Sequence, residues 1–190
     1  LAAGVFLAGF GLWFWQARRM DWFDGEWSKK AVRYFIVALV LFAILFPAAL
    51  ATVRQGPSGI AAPYERHRDE YIGDIGKGLS IKGLFRDYNK MHPHLSMHSK
   101  VHPPGPVALL WLFSMVTFTQ EPLPLAIATI MFGATALIPL YFWVNDMAGR
   151  RVALTACCLY AVTPTIVLFT ATSADIMFMP FTITTLFLFW

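Results

Sequence analysis

Hydrophobic positions in this chain fall in long unbroken runs, with one long polar stretch between them. The apolar runs cover 1–16, 34–52, 104–119, 123–144, 152–172 and 176–190, and the polar stretch covers 53–101. A helix rises 1.5 Å per residue and a bilayer core is about 30 Å thick, so 34–52 is about long enough to cross. The pattern predicts an all-α polytopic membrane bundle of about 5–6 membrane helices. Its polar loop, 53–103, carries short helices lying in the interface. The whole of 1–190 reads as one transmembrane domain. It starts at Leu1 without an initiator Met and stops at Trp190 inside an apolar run, so it reads as the N-terminal part of a longer module, with 1–16 the remains of a first span.

Charge placement orients these runs. The link between the first two carries Arg18, Arg19, Lys29, Lys30 and Arg33, which the positive-inside rule places in the cytoplasm. Run 34–52 then runs outward, and 53–101, with eight Lys/Arg and five Asp/Glu, is extracytoplasmic. Arg150–Arg151, between 123–144 and 152–172, reads as cytoplasmic again. An odd number of crossings must separate the two charged regions, yet two apolar runs lie between them. Run 104–119 has 16 residues and reaches only ~24 Å as a helix. It is therefore the run expected not to cross. Residues 173–175 then return to the outer face.

Inside the polar loop the period changes. Ile81, Leu84, Phe85, Tyr88 and Met91 recur at helical spacing against Lys82, Arg86, Asp87 and Lys90, which predicts an amphipathic helix over 81–91. A second helix over 69–79 is weakened by Gly73, Gly76 and Gly78. All five histidines lie between His67 and His102. The step Pro103–Pro104 fixes φ twice and pushes His102 toward extended geometry, so a new helix starts near Pro104.

Composition agrees with a membrane solvent. Hydrophobic residues make up 57% of the chain and charged residues 14%, against about 25% charged in soluble domains. The net charge of +4 is explained by basic loops, so no nucleic acid is implied. Cys157 and Cys158 are neighbours in an apolar run, read as small core residues that say nothing of compartment. No phosphate loop or dinucleotide fingerprint is present, because the glycines of 72–83 lack the flanking strand and helix. His94, His98 and His102 stand four apart, which on a helix would align three imidazoles as zinc ligands. Pro103 works against that helix at His102, so no metal ligand is assigned and no cofactor is certain, with a divalent metal left open.

The motifs also stand in a definite order: Arg68-Asp69-Glu70-Tyr71, a polar loop of about 30 residues, His102-Pro103-Pro104-Gly105-Pro106, Gly149-Arg150-Arg151, then Thr163-Pro164 leading to Ser173-Ala174-Asp175. Over about 34–190 this order resembles the GT-C-fold glycosyltransferases, especially relatives of the protein mannosyltransferases and the lipid A aminoarabinose transferases. The resemblance implies transfer of a sugar from a polyprenyl-phosphate carrier to an extracytoplasmic acceptor, which is a protein, lipid or glycan. Such chemistry needs a carboxylate to take the acceptor's proton and cations to hold the phosphate. The residues supply both types. Asp69 is the first choice of base, with Glu70 supporting, Asp74 in reserve and Asp175 brought beside them. Lys100, His102, His98 and Arg68 are the expected phosphate ligands.

Plainer roles exist for the same residues. Asp69 and Glu70 could only solvate a loop or pair with Arg66 and Arg68. Ser173 or Asp175 suits the N-cap of an apolar helix. A transporter would place ionisable groups inside its apolar runs, which hold almost none here. A non-catalytic assembly partner for another membrane protein is the remaining alternative.

Overall fold

In the computed structural model the described residues are 27–66 and 69–190. Run 1–16, His67 and Arg68 lie outside them. The described residues are helical, with no strand among them.

Helix α1 spans Lys29–Gln55, about a turn longer than expected at each end. Ser28 starts it by accepting Ala31 N–H on Oγ at 3.1 Å. Single 3-10 turns follow at Gly56–Ile60, Ala62–Tyr64 and Tyr71–Asp74. The helix proposed over 69–79 does not form. Gly76, Gly78 and Leu79 have φ of 85°, 116° and 64°, a left-handed run that no α-helix admits. Helix α2, Ile81–Met91, is the amphipathic helix of the sequence pattern, with Ser80 capping Gly83 N–H. Leu84 and Tyr88 are buried, while Lys82, Arg86 and Lys90 are exposed. A short helix α3, Met97–Val101, leads to His102, which is extended (φ −123°, ψ 156°) as the following proline requires.

Helix α4, Gly105–Thr117, opens behind Pro104 and closes at Phe118, which is left-handed. Its 13 residues reach roughly 20 Å, too short to cross a bilayer core. Helices α5, Pro122–Ala134, and α6, Leu137–Ala148, form a continuous apolar run with a loosened joint. Pro139 has no N–H for the carbonyl of Thr135, which instead accepts Ile138 N–H at 3.0 Å. Helices α7, Arg150–Val162, and α8, Pro164–Thr172, meet at a 50° bend where Thr163 is extended ahead of Pro164. A 3-10 turn, Ala174–Phe178, leads into α9, Met179–Phe189.

By length and composition, two helices among the described residues can cross a membrane. They are Lys29–Val53, of mean hydropathy 2.7, and Pro122–Ala148, of mean hydropathy 2.0. The α7–α8 pair makes a third if its bent halves count as one span. The expected 5–6 are therefore met as two or three.

Two cores hold the bundle. At the loop end, Tyr64, Tyr71, Leu84, Tyr88, Val107, Leu110, Leu125 and Met177 pack together. Burying each large side chain there is worth about 1.5–3 kcal/mol. Deeper along α1, Ala43 meets Ala134, Leu137 and Cys157. Helices in lipid gain little from apolar burial alone, so small residues that allow close approach suit that position. Cys157 is one of these small residues, a free thiol whose S–H lies 3.7 Å from Leu137 O.

Candidate functional site

Residues from three separate segments, the turn at 69–74, α3 and the turn at 173–178, meet at the end of the bundle where α1 finishes. The turn 69–74 enters through backbone bonds: Asp69 N–H and Glu70 N–H both donate to Arg66 O, at 2.8 and 2.9 Å. Asp69 O then accepts His98 N–H at 3.0 Å, which ties this turn to α3.

Glu70 and His98 form the first pair. His98 Nδ1 lies 3.0 Å from Glu70 Oε2. An ionised carboxylate only accepts, so the ring proton sits on Nδ1 and Nε2 faces away from this bond. Glu70 Oε1 has no hydrogen bond among the described residues.

Asp175 and Tyr71 form the second pair, 104 residues apart in sequence. Tyr71 O–H donates to Asp175 Oδ1 at 3.4 Å, and Ser173 O–H donates to Oδ2 at 2.9 Å. Ser173, not Asp175, caps the turn at 174–178, its Oγ accepting Asp175 N–H at 3.1 Å. Asp175 is thereby left to face Tyr71.

Tyr71 connects the two pairs. Its ring centroid lies 5.7 Å from that of His98 and 5.9 Å from that of His102. Burial pushes its phenol well above the ordinary range, and the negative charges of Asp175 and Glu70 push it further. Tyr71 thus keeps its proton and acts as a hydrogen-bond donor to Asp175. The buried Tyr64 phenol is raised for the same reasons, burial first, with Glu70 and Asp175 adding to it.

Asp74 stands apart. It has no solvent exposure and accepts Ser96 N–H and Ser96 O–H, the latter at 2.6 Å, and Lys77 Nζ at 2.6 Å. Burial alone would raise its pKa, but the Lys77 ammonium and the Ser96 and Ser99 donors lower it below the usual carboxylate range. Since Ser96 caps α3, Asp74 holds the start of the helix that carries His98.

The other expected residues are dispersed. His102 and Lys100 are exposed; Tyr88 O–H donates to His102 O at 3.0 Å, and Lys100 O is 3.0 Å from His92 Nε2. No ion pair joins Asp69 or Glu70 to Arg66 among the described residues. The aligned histidine row is absent: His94 lies in a 3-10 turn, His98 in α3 and His102 beyond it. Among the described residues no three His, Cys, Asp or Glu side chains come together as a metal site.

Beside Glu70 opens a cleft of about 390 Å³. Leu50, Ala51, Leu168 and Ala171 form its apolar side, from the last turns of α1 and α8, and Arg66 and Glu70 its polar edge. Sequence reasoning gave no role to Tyr71, Tyr64 or Arg66 in this site. Tyr71 was visible beside the acidic pair, but nothing local marks a tyrosine that reaches Asp175.

No family model, curated protein or solved structure matches the chain. The reading of this site therefore rests on its own geometry and on the motif order.

Proposed function

We propose that this protein is an integral-membrane glycosyltransferase that moves a sugar from a polyprenyl-phosphate carrier to an extracytoplasmic acceptor. The observation that carries the proposal is the meeting of Glu70–His98 and Asp175–Tyr71 beside a cleft that is apolar on one side and bears Arg66 on its edge. A lipid-linked phosphate has the matching two parts, a hydrocarbon tail and an anion.

In the proposed reaction the bond from the anomeric carbon to the phosphate oxygen breaks and polyprenyl phosphate leaves. The acceptor's oxygen or nitrogen takes the anomeric carbon, and its proton passes to a carboxylate. Glu70 is favoured as that base over Asp69, because it lines the cleft and its Oε1 has no hydrogen bond among the described residues. His98 orients Glu70. Asp175, held by Tyr71 and Ser173, adds negative charge near the cationic anomeric centre of the transition state. Arg66, on the edge of the cleft, is the proposed phosphate ligand, since a guanidinium suits two phosphate oxygens at once, while Lys100 and His102, outside the cleft lining, keep only the role that the motif order suggests. Arg68 is outside the described residues and keeps the role that the motif order suggests.

A total of 5–6 membrane helices, with the loop on the extracytoplasmic face of the cell membrane, belongs to this proposal. Its supports are the basic residues at the start of α1 and α7 and the short apolar helices Gly105–Thr117 and Ala174–Phe189. The test is incubation of the intact protein, in membranes, with a radiolabelled polyprenyl-phosphate sugar. Transfer of label to any endogenous acceptor, with release of polyprenyl phosphate, is expected. Absence of both across mannose, glucose and aminoarabinose donors refutes the reading.

A further inference from the structure

At the opposite end of the bundle, where α1 begins, a second cleft of about 650 Å³ lies between α1 and α6. Its walls are apolar, built by Val32, Ile36, Ile138 and Phe142. Its mouth carries three cations, Lys29, Arg33 and Arg150. All three are exposed, and none has an acidic partner among the described residues. Arg150 is nonetheless fixed in place, with Nη1 donating to Trp27 O at 2.8 Å. Asp146, the nearest acid on α6 in sequence, does not line the cleft.

Three like charges around one opening repel each other unless an anion sits between them. The apolar walls would in turn be poorly served by water. A single occupant answers both: a phosphodiester head group at the mouth with acyl chains along Ile36, Ile138 and Phe142. We infer that this cleft binds an anionic phospholipid, its phosphate held by Lys29, Arg33 and Arg150. This site is independent of the glycosyltransferase reading, and either can fail alone.

The test is native mass spectrometry of the intact protein in detergent, titrated with dioleoyl phosphatidylglycerol, with dioleoyl phosphatidylcholine, or with inorganic phosphate. Phosphatidylglycerol should bind at least about tenfold tighter than phosphatidylcholine, and millimolar inorganic phosphate should not displace it. Each cation removed should weaken binding about fivefold, so Lys29→Gln/Arg33→Gln/Arg150→Gln should weaken it about 100-fold. The control Lys82→Gln/Arg86→Gln/Lys90→Gln removes three cations from α2 and should bind like the wild type. If the first triple variant does not fold, Arg33→Gln alone carries the test with its fivefold loss. Equal binding of both lipids, displacement by inorganic phosphate, or equal binding by the two triple variants overturns the inference. So does a cleft that takes up no lipid at all.

Discussion

Asp74 receives Ser96 N–H, Ser96 O–H and Lys77 Nζ on a carboxylate with no solvent exposure, whereas Glu70, beside an open cleft, has one oxygen without a hydrogen bond among the described residues. These surroundings suit the first acid to structure and the second to proton transfer. Asp74→Asn should cost about 1.5–3 kcal/mol, the worth of hydrogen bonds to a charged group. The folded pKa of Asp74 is depressed, so its stabilisation is present above the ordinary carboxylate pKa of about 4 and is lost as pH falls through the lower folded value. Thermal unfolding in detergent from pH 7 to pH 3 should show the wild type losing more stability at the acid end than Asp74→Asn does. Parallel pH profiles would mean that the Asp74 network contributes nothing. Both acids were visible in the sequence as candidate bases. Their difference was not, because it is made by Ser96, 22 residues on, and by the cleft against α1 and α8.

Among the helices, those defined by local pattern were the legible ones. Run 34–52 became α1, the 81–91 period became α2, and Pro103 stopped α3 at His102. Prolines also divided runs that hydropathy alone joined, at Thr135 through Pro139 and at Thr163 through Pro164. What the pattern lacked was the packing of the 3-10 turns, which depends on long-range contact. Gly133 shows how tight that packing is. A Cβ built there would stand 2.8 Å from Ile176 Cγ1, and Ile176 is buried and stiff at χ1. Gly133→Ala should push the 174–178 turn off α5, lowering stability by about 1–3 kcal/mol. The displaced Asp175 should slow transfer by as much as about 100-fold, although Gly133 is not part of the site. Unfolding midpoints and initial rates for this variant check both effects. Unchanged values for both would show that Ile176 has room to move aside.

For the molecule as a whole, the two ends of the bundle carry different chemistry. Glu70, Asp175, Tyr71 and Arg66 gather where α1 finishes, while Lys29, Arg33 and Arg150 gather where it starts. The contact of Arg150 with Trp27 O fixes both basic segments at one end. Helix α4, at 13 residues, is shorter than a bilayer core, so the proposed topology has a single crossing, Pro122–Ala148, between loop and basic pair. Cysteine-accessibility labelling in intact cells should therefore find Lys29→Cys and Arg150→Cys on one side and Lys90→Cys on the other. Labelling of Arg150→Cys together with Lys90→Cys would contradict that arrangement. The central claim, that the loop end transfers a sugar using Glu70 as base, is tested most directly by single-turnover transfer from a polyprenyl-phosphate sugar by Glu70→Gln, with Asp69→Asn alongside and folding verified for each. A positioned base is worth about 10²–10⁴ in rate, so Glu70→Gln should lose that factor while Asp69→Asn stays within about tenfold of the wild type. A Glu70→Gln enzyme that transfers at the wild-type rate would contradict the account.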